Sequence, residues 1–215
     1  MKIIEIVVID YGMGNLLSVR RALEHCGARV VITRDPKTIL AASHVILPGV
    51  GAFARAMDEL HRLELVEVIR SLIQSGVAFL GICLGMQLLL SESEEFGVTP
   101  GLNLIPGRVI PVPKQTIAGS PQKIPHIGWS ALSCPRGEKK WTSRLLTGIP
   151  FGAAAYFIHS FMAKPNDSSL CLAECRYGEQ SISAIIGLDN MTGCQFHPEK
   201  SGEMGLSLLR NFVSS

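Results

Sequence analysis

Cys83 lies in the segment Phe79-Leu80-Gly81-Ile82-Cys83-Leu84-Gly85-Met86-Gln87. This apolar run enters a Gly-x-Cys-x-Gly turn and leaves with helical spacing at Met86, Leu88, Leu89 and Leu90. Strand, tight turn and helix in that order have the geometry of a nucleophile elbow, with a thiol where hydrolases place serine. Glycines flank the thiol because a nucleophile in a strained turn leaves no room for a neighbouring Cβ. The start of a helix also favours the thiolate over the thiol. Taken alone, Cys83 reads equally well as a buried structural cysteine at a strand end.

A nucleophilic thiol needs a base, and the base needs a group to orient it. Gln195-Phe196-His197-Pro198-Glu199 offers both. If Cys194 to His197 is a strand and the chain stays extended beyond it, residues two apart point to the same side. Glu199 can then hold the His197 imidazole while its other nitrogen faces the thiol. Alone, the pair reads as a strand-end histidine and an exposed glutamate. The third requirement is a set of backbone N–H donors for a tetrahedral oxyanion, each worth roughly 3–4 kcal/mol in the transition state. Leu84 supplies one. Gly49 or Val50, in Pro48-Gly49-Val50-Gly51, supplies the other, and the two glycines would let a peptide plane flip there. Alone, that segment is an ordinary strand-to-helix turn.

These residues need a scaffold, and the patterning provides one. Ile3 to Asp10, Arg29 to Ile32, His44 to Leu47 and Val77 to Ile82 read as strands buried on both faces. Helical spacing separates them at Leu16 to Gly27, from the Asp35 cap to Ala42, at Ala52 to His61 and at Leu63 to Gln74. Alternation of this kind implies a mostly parallel sheet covered on both sides. Pro100 to Pro150 is rich in Pro and Gly. Short strands follow at Ala155 to His159, Leu170 to Tyr177, Ser181 to Leu188 and Cys194 to His197, then a helix from Glu203 to Val213. The expected architecture is one α/β domain over residues 1–215 with an antiparallel-rich second half.

Composition excludes several functions. The 215 residues are 47% hydrophobic and 18% charged, enough to build a core, and 20 basic against 18 acidic residues leave +2 with no basic stripe for nucleic acid. Met1-Lys2-Ile3-Ile4-Glu5 lacks the features of a signal peptide, and the run from Val77 to Met86 falls short of the ~20 residues of a membrane span. No membrane association is expected; the protein reads as reduced and cytoplasmic. Zinc at Cys171, Cys175, Cys194 and His197 is disfavoured, because strand residues four apart are about 13 Å apart. No metal or cofactor is expected. Cys26 and Cys134 read as packing or surface residues, and His25, His44 and His61 as structural.

Together, the order and spacing of Cys83, His197 and Glu199, with Gln87 and Gln195, resemble the class I, triad-type glutamine amidotransferases, over the whole chain. More narrowly, the chain is similar to the glutaminase subunits of imidazole glycerol phosphate synthases. The segments behind this are Asp10-Tyr11-Gly12-Met13-Gly14-Asn15, Pro48 to Phe53, His126-Ile127-Gly128-Trp129, Tyr156 to Phe161 and Gln195 to Ser201. Ser130 departs from the asparagine usual after that tryptophan, and the shorter side chain is expected to lose an amide donor–acceptor pair.

The resemblance implies a flavodoxin-like sheet and a Cys83–His197–Glu199 triad that hydrolyses L-glutamine through a thioester. It implies Gly51, Gln87, His159, Ser160 and Phe161 as the residues that hold the substrate. It further implies a (β/α)8-barrel synthase subunit as heterodimer partner, which takes the ammonia to make imidazole glycerol phosphate and AICAR from PRFAR. Asn15, Trp129, Tyr156 and Lys200 would dock on that partner, and a salt bridge from Lys200 would couple docking to Glu199. The oxyanion turn is expected to rest inactive in the isolated chain. Alternatives are a paralogous glutaminase serving amidino-sugar or pyridoxal phosphate synthesis, a non-catalytic binding module, and a peptidase or small-molecule hydrolase.

Overall fold

The computed structural model describes residues 4–215; Met1, Lys2 and the first residue of the expected opening strand, Ile3, lie outside them. The first half runs β1 (Glu5–Ile9), α1 (Leu16–His25), β2 (Arg29–Thr33), α2 (Pro36–Leu40), β3 (His44–Gly49), α3 (Phe53–Arg62), α4 (Leu65–Gln74), β4 (Ala78–Cys83) and α5 (Leu84–Leu88). The second half runs β5 (Leu90–Ser93), β6 (Thr99–Pro100), β7 (Ile105–Pro111), β8 (His126–Ala131), β9 (Ala154–His159), β10 (Phe161–Pro165), β11 (Cys171–Tyr177), β12 (Gln180–Leu188), β13 (Met191–Cys194) and α6 (Gly202–Val213).

Seven strands form the central sheet in the order β11-β12-β13-β4-β3-β1-β2. The pairs β1–β2, β1–β3, β3–β4 and β4–β13 are parallel, and β12 is antiparallel to both of its neighbours. Read from its other edge, the parallel part has the flavodoxin-like order, whose sites lie at the carboxyl ends of the strands. Side chains alternate across it. Ile6, Val8, Ile46 and Leu80 face α1 and α6, while Val7, Val45, Leu47 and Phe79 face α3 and α4.

Helix starts follow their caps: Asp35 Oδ2 accepts the Thr38 N–H at 2.9 Å, with Pro36 at the first helical position. His44 is structural, its ring bonded to Ser43 Oγ and the Ser215 carbonyl and edge-on to Phe212.

Two expectations need correction, and one stretch gains structure. The helix after Cys83 ends at Leu88 rather than Leu90, because Leu90 opens β5 of a second sheet, ordered β10-β7-β5-β6. The Pro- and Gly-rich stretch holds β7 and β8, the latter paired antiparallel with β9. The strand expected over Cys194 to His197 is instead Met191–Cys194. After it the chain leaves the sheet: the Gln195 N–H bonds to Ala184 of β12, but the His197 N–H bonds to Tyr156 of β9.

Candidate active site

Three strand ends converge. Cys83 at the end of β4 is in register with Gly49 at the end of β3, and Ile82 with Cys194 at the end of β13. The Cys83 backbone is forced to φ 55° and ψ −109°, a conformation costly for any residue with a Cβ. Both flanking glycines are required by close approach. A Cβ at Gly81 would lie 2.6 Å from the Gly85 carbonyl oxygen, and one at Gly85 would fall on the Leu47 carbonyl oxygen.

His197 and Glu199 meet, though not as neighbours on one strand. His197 precedes a 3-10 turn, Pro198–Lys200, that carries Glu199. Pro198 cannot donate to a ladder, so the turn rather than a pleat brings the two side chains together. His197 Nδ1 lies 2.8 Å from Glu199 Oε1, with both side chains almost wholly buried. Burial disfavours the charged ring, but Cys83 and Glu199 outweigh it and raise the His197 pKa to about 10. His197 Nε2 has no hydrogen-bond partner among the described residues.

A cavity of about 300 Å³ opens over these groups. It is lined by Cys83, His197, Val50, Leu84, Gly51 and Gln87, together with His159, Ser160, Phe161, Ile158 and Pro125. Gly49 is not in its wall. It is buried behind Val50, and a Cβ there would lie 2.5 Å from Tyr11 Oη and 3.0 Å from the Gly85 nitrogen. Loop and turn are stacked residue on residue: Tyr11 on Gly49, Met13 on Gly51 and Gly14 on Pro48. Gln87 spends its amide N–H groups on the Phe161 carbonyl and Gln195 Oε1, at 3.0 and 2.9 Å, so only its oxygen is left for a ligand.

Glu95 is a lining residue that the sequence reading missed; its carboxylate accepts the Phe53 N–H at 2.6 Å. It lies within the acidic run Glu92 to Glu95, which looks like a solvated edge, so its only sequence signal was position a few residues beyond the elbow helix.

Behind the cavity, one tautomer satisfies a chain of hydrogen bonds. The Phe161 carbonyl can only accept, so His159 Nδ1 carries the proton and Nε2 accepts from His126 Nδ1 at 2.9 Å. His126 Nε2 then accepts from the Ser130 hydroxyl, also at 2.9 Å. Ser130 therefore keeps a donor where the loss of an amide was expected. Burial lowers the pKa of both rings to about 4, keeping them neutral. Around the mouth, Trp129 packs edge-on against Tyr156, and Trp129, Ile127, Ile158 and Val50 expose apolar surface. Asn15 and Lys200 are exposed, and Asn15 also caps α1.

Cys171 and Cys175 lie on β11 as read from sequence, and no group of three or more metal-ligating side chains occurs among the described residues. No helix among them is long and apolar enough to cross a membrane.

The sequence profile of the family described as glutamine amidotransferase class-I matches residues 7–215. The chain belongs to the class-I glutamine amidotransferases. Among its relatives within this amidotransferase family is imidazole glycerol phosphate synthase subunit HisH 1 of Legionella pneumophila strain Paris, 48% identical over 96% of this chain and 97% of the relative. Subunit HisH of Geobacter sulfurreducens is 46% identical over 97% of both chains. That of Thermosynechococcus vestitus is 47% identical over 97% of this chain and 96% of the relative. In fold, the amidotransferase chain is similar to a structure of PurLQS from Thermotoga maritima, with a TM-score of 0.73 at 16% identity and 99% of each chain covered. A structure titled as a glutamine amidotransferase gives a TM-score of 0.71 at 16% identity, covering 97% of this chain and 99% of that one.

Proposed function

We propose that this chain is the glutamine-hydrolysing subunit of an imidazole glycerol phosphate synthase, acting in histidine biosynthesis. The observation that carries the reading is that Cys83, at the end of β4, and His197, beyond the end of β13 and paired with Glu199, line one cavity sized for one amino acid. The full-length likeness to HisH subunits supports the pathway.

Cys83 attacks the glutamine carboxamide carbon, and the oxyanion is held by the Leu84 N–H and a donor from Gly49 or Val50. Collapse breaks the C–N bond, and ammonia leaves with a proton from His197. The raised His197 pKa keeps that proton in place before the attack. His197 then takes a proton from water, which attacks the thioester and frees glutamate and the thiol. Glu199 holds the ring and supports its charge. Gly51, Gln87, His159, Ser160 and Phe161 hold the amino-acid end of glutamine, and the Glu95 carboxylate, in the same wall, suits its ammonium.

The domain is a single glutaminase unit over 1–215, cytoplasmic and without cofactor. Its partner is a (β/α)8-barrel synthase subunit, docked on Asn15, Trp129, Tyr156 and Lys200, that consumes ammonia and PRFAR. The exposed aromatic and aliphatic rim beside the cavity mouth suits such docking. Lys200, one residue after Glu199, couples docking to the triad.

The test is glutamate release from glutamine by the purified chain, alone and with the barrel subunit plus PRFAR. Strong stimulation, abolished by Cys83→Ala, is expected. Activity without stimulation would move the ammonia to another acceptor, and no activity in either condition would overturn the reading.

A further inference from the structure

Gln195 is fully buried, and the hydrolytic scheme gives it no task. Its amide orientation follows from its neighbours. The Phe161 carbonyl oxygen can only accept, so the Gln87 atom 3.0 Å from it is the NH2 group. That NH2 also lies 2.9 Å from one end of the Gln195 amide, which must then be the oxygen. The other end, an NH2, is left facing Cys83 Sγ at 3.7 Å, a reach suited to the large sulfur atom. A flipped Gln195 would set two NH2 groups against each other in a buried site, so the alternative is costly.

We infer that Gln195 is a further catalytic residue, an N–H donor to the Cys83 sulfur locked in place by Gln87 and the Phe161 carbonyl. This rests on Cys83 being the nucleophile. A donor aimed at sulfur favours the thiolate over the thiol, first when Sγ is the attacking group. It does so again when the thioester C–S bond breaks and sulfur departs with the electron pair. Gln87 thereby joins substrate binding to nucleophile activation through one amide.

The experiment is the pH dependence of Cys83 alkylation by iodoacetamide in the full chain, followed by mass spectrometry of the Cys83 peptide, with Cys134 as internal control. His197, Tyr11 and Cys194 are the titratable groups acting on Cys83, and Glu95 and His159 share its cavity. None is altered in Gln195→Met, which keeps length and removes the donor. The pH midpoint of Cys83 alkylation is expected to rise by about half a unit or more, with Cys134 unchanged. Gln87→Met, which frees the Gln195 amide to turn, is expected to raise it less, and it decides the matter if Gln195→Met does not fold. An unmoved midpoint overturns the inference. Wild-type glutamate release is scored separately: its absence alongside a moved midpoint sinks the function reading only, and its presence alongside an unmoved midpoint sinks this inference only.

Discussion

The backbone angles of Cys83, φ 55° and ψ −109°, are the mirror image of an ordinary extended conformation. Only glycine adopts that mirror conformation freely, so the chain gives up stability to present a thiol at this position. Two variants lacking the sulfur expose the strain. Cys83→Gly is expected to exceed Cys83→Ala in stability by about 1 kcal/mol, read from their denaturation midpoints, while neither turns over glutamine. Equal stability would mean that the turn is relaxed. At this scale the sequence points directly to the proposed triad, since Cys83, His197 and Glu199 each carry a chemistry-bearing side chain in a short recognisable segment. It is uninformative for Tyr11, whose hydroxyl is buried against Gly49 without a partner among the described residues. A tyrosine after a strand has no signal beyond its apolar ring.

Elements show where patterning succeeds and why it stops. β1, β3 and β4 are buried on both faces and so are written as continuous apolar runs. β13 is equally central but reads Met191-Thr192-Gly193-Cys194, because Met86 of α5 packs where a Gly193 side chain would be. The apolar Phe196 thus drew the expected strand beyond the end of β13. β7 was hidden by Pro106 and Gly107; a Cβ at Gly107 would lie 2.6 Å from the Lys164 carbonyl oxygen of β10. The same close packing makes the elbow intolerant. Gly85→Ala drives a methyl onto the Leu47 carbonyl of β3 and is expected to cost about 3 kcal/mol or more in chemical denaturation. A loss below 1 kcal/mol would mean that α5 can slide away from β3.

For the whole molecule, three histidines set opposing pH slopes. His126 and His159 titrate near 4 when folded and near 6.5 when unfolded. Between those values the unfolded chain binds protons that the folded pair refuses, so stability falls as pH drops from about 6.5 to about 4. His197 has its folded pKa raised to about 10. The stability it contributes is complete below about 6.5 and is lost as pH rises through about 10. The melting temperature is therefore expected to fall away on both sides of about pH 6.5. His126→Phe, stacked between Phe157 and Tyr177, is expected to flatten the acid limb, and an acid limb of unchanged steepness in that variant would exclude the pair as its source.

Because β13 is inserted between β4 and β12, Cys83 and its proposed base His197 meet across more than one hundred residues of sequence. The elbow and the turn before it are synthesised first, whereas His197 and Glu199 follow β13 and reach the site by leaving the sheet towards β9. A nascent chain thus carries Cys83 without His197 while more than one hundred residues are added. A chain truncated before β13 is therefore expected to keep Cys83 and to lose both His197 and Glu199, and with them glutaminase activity.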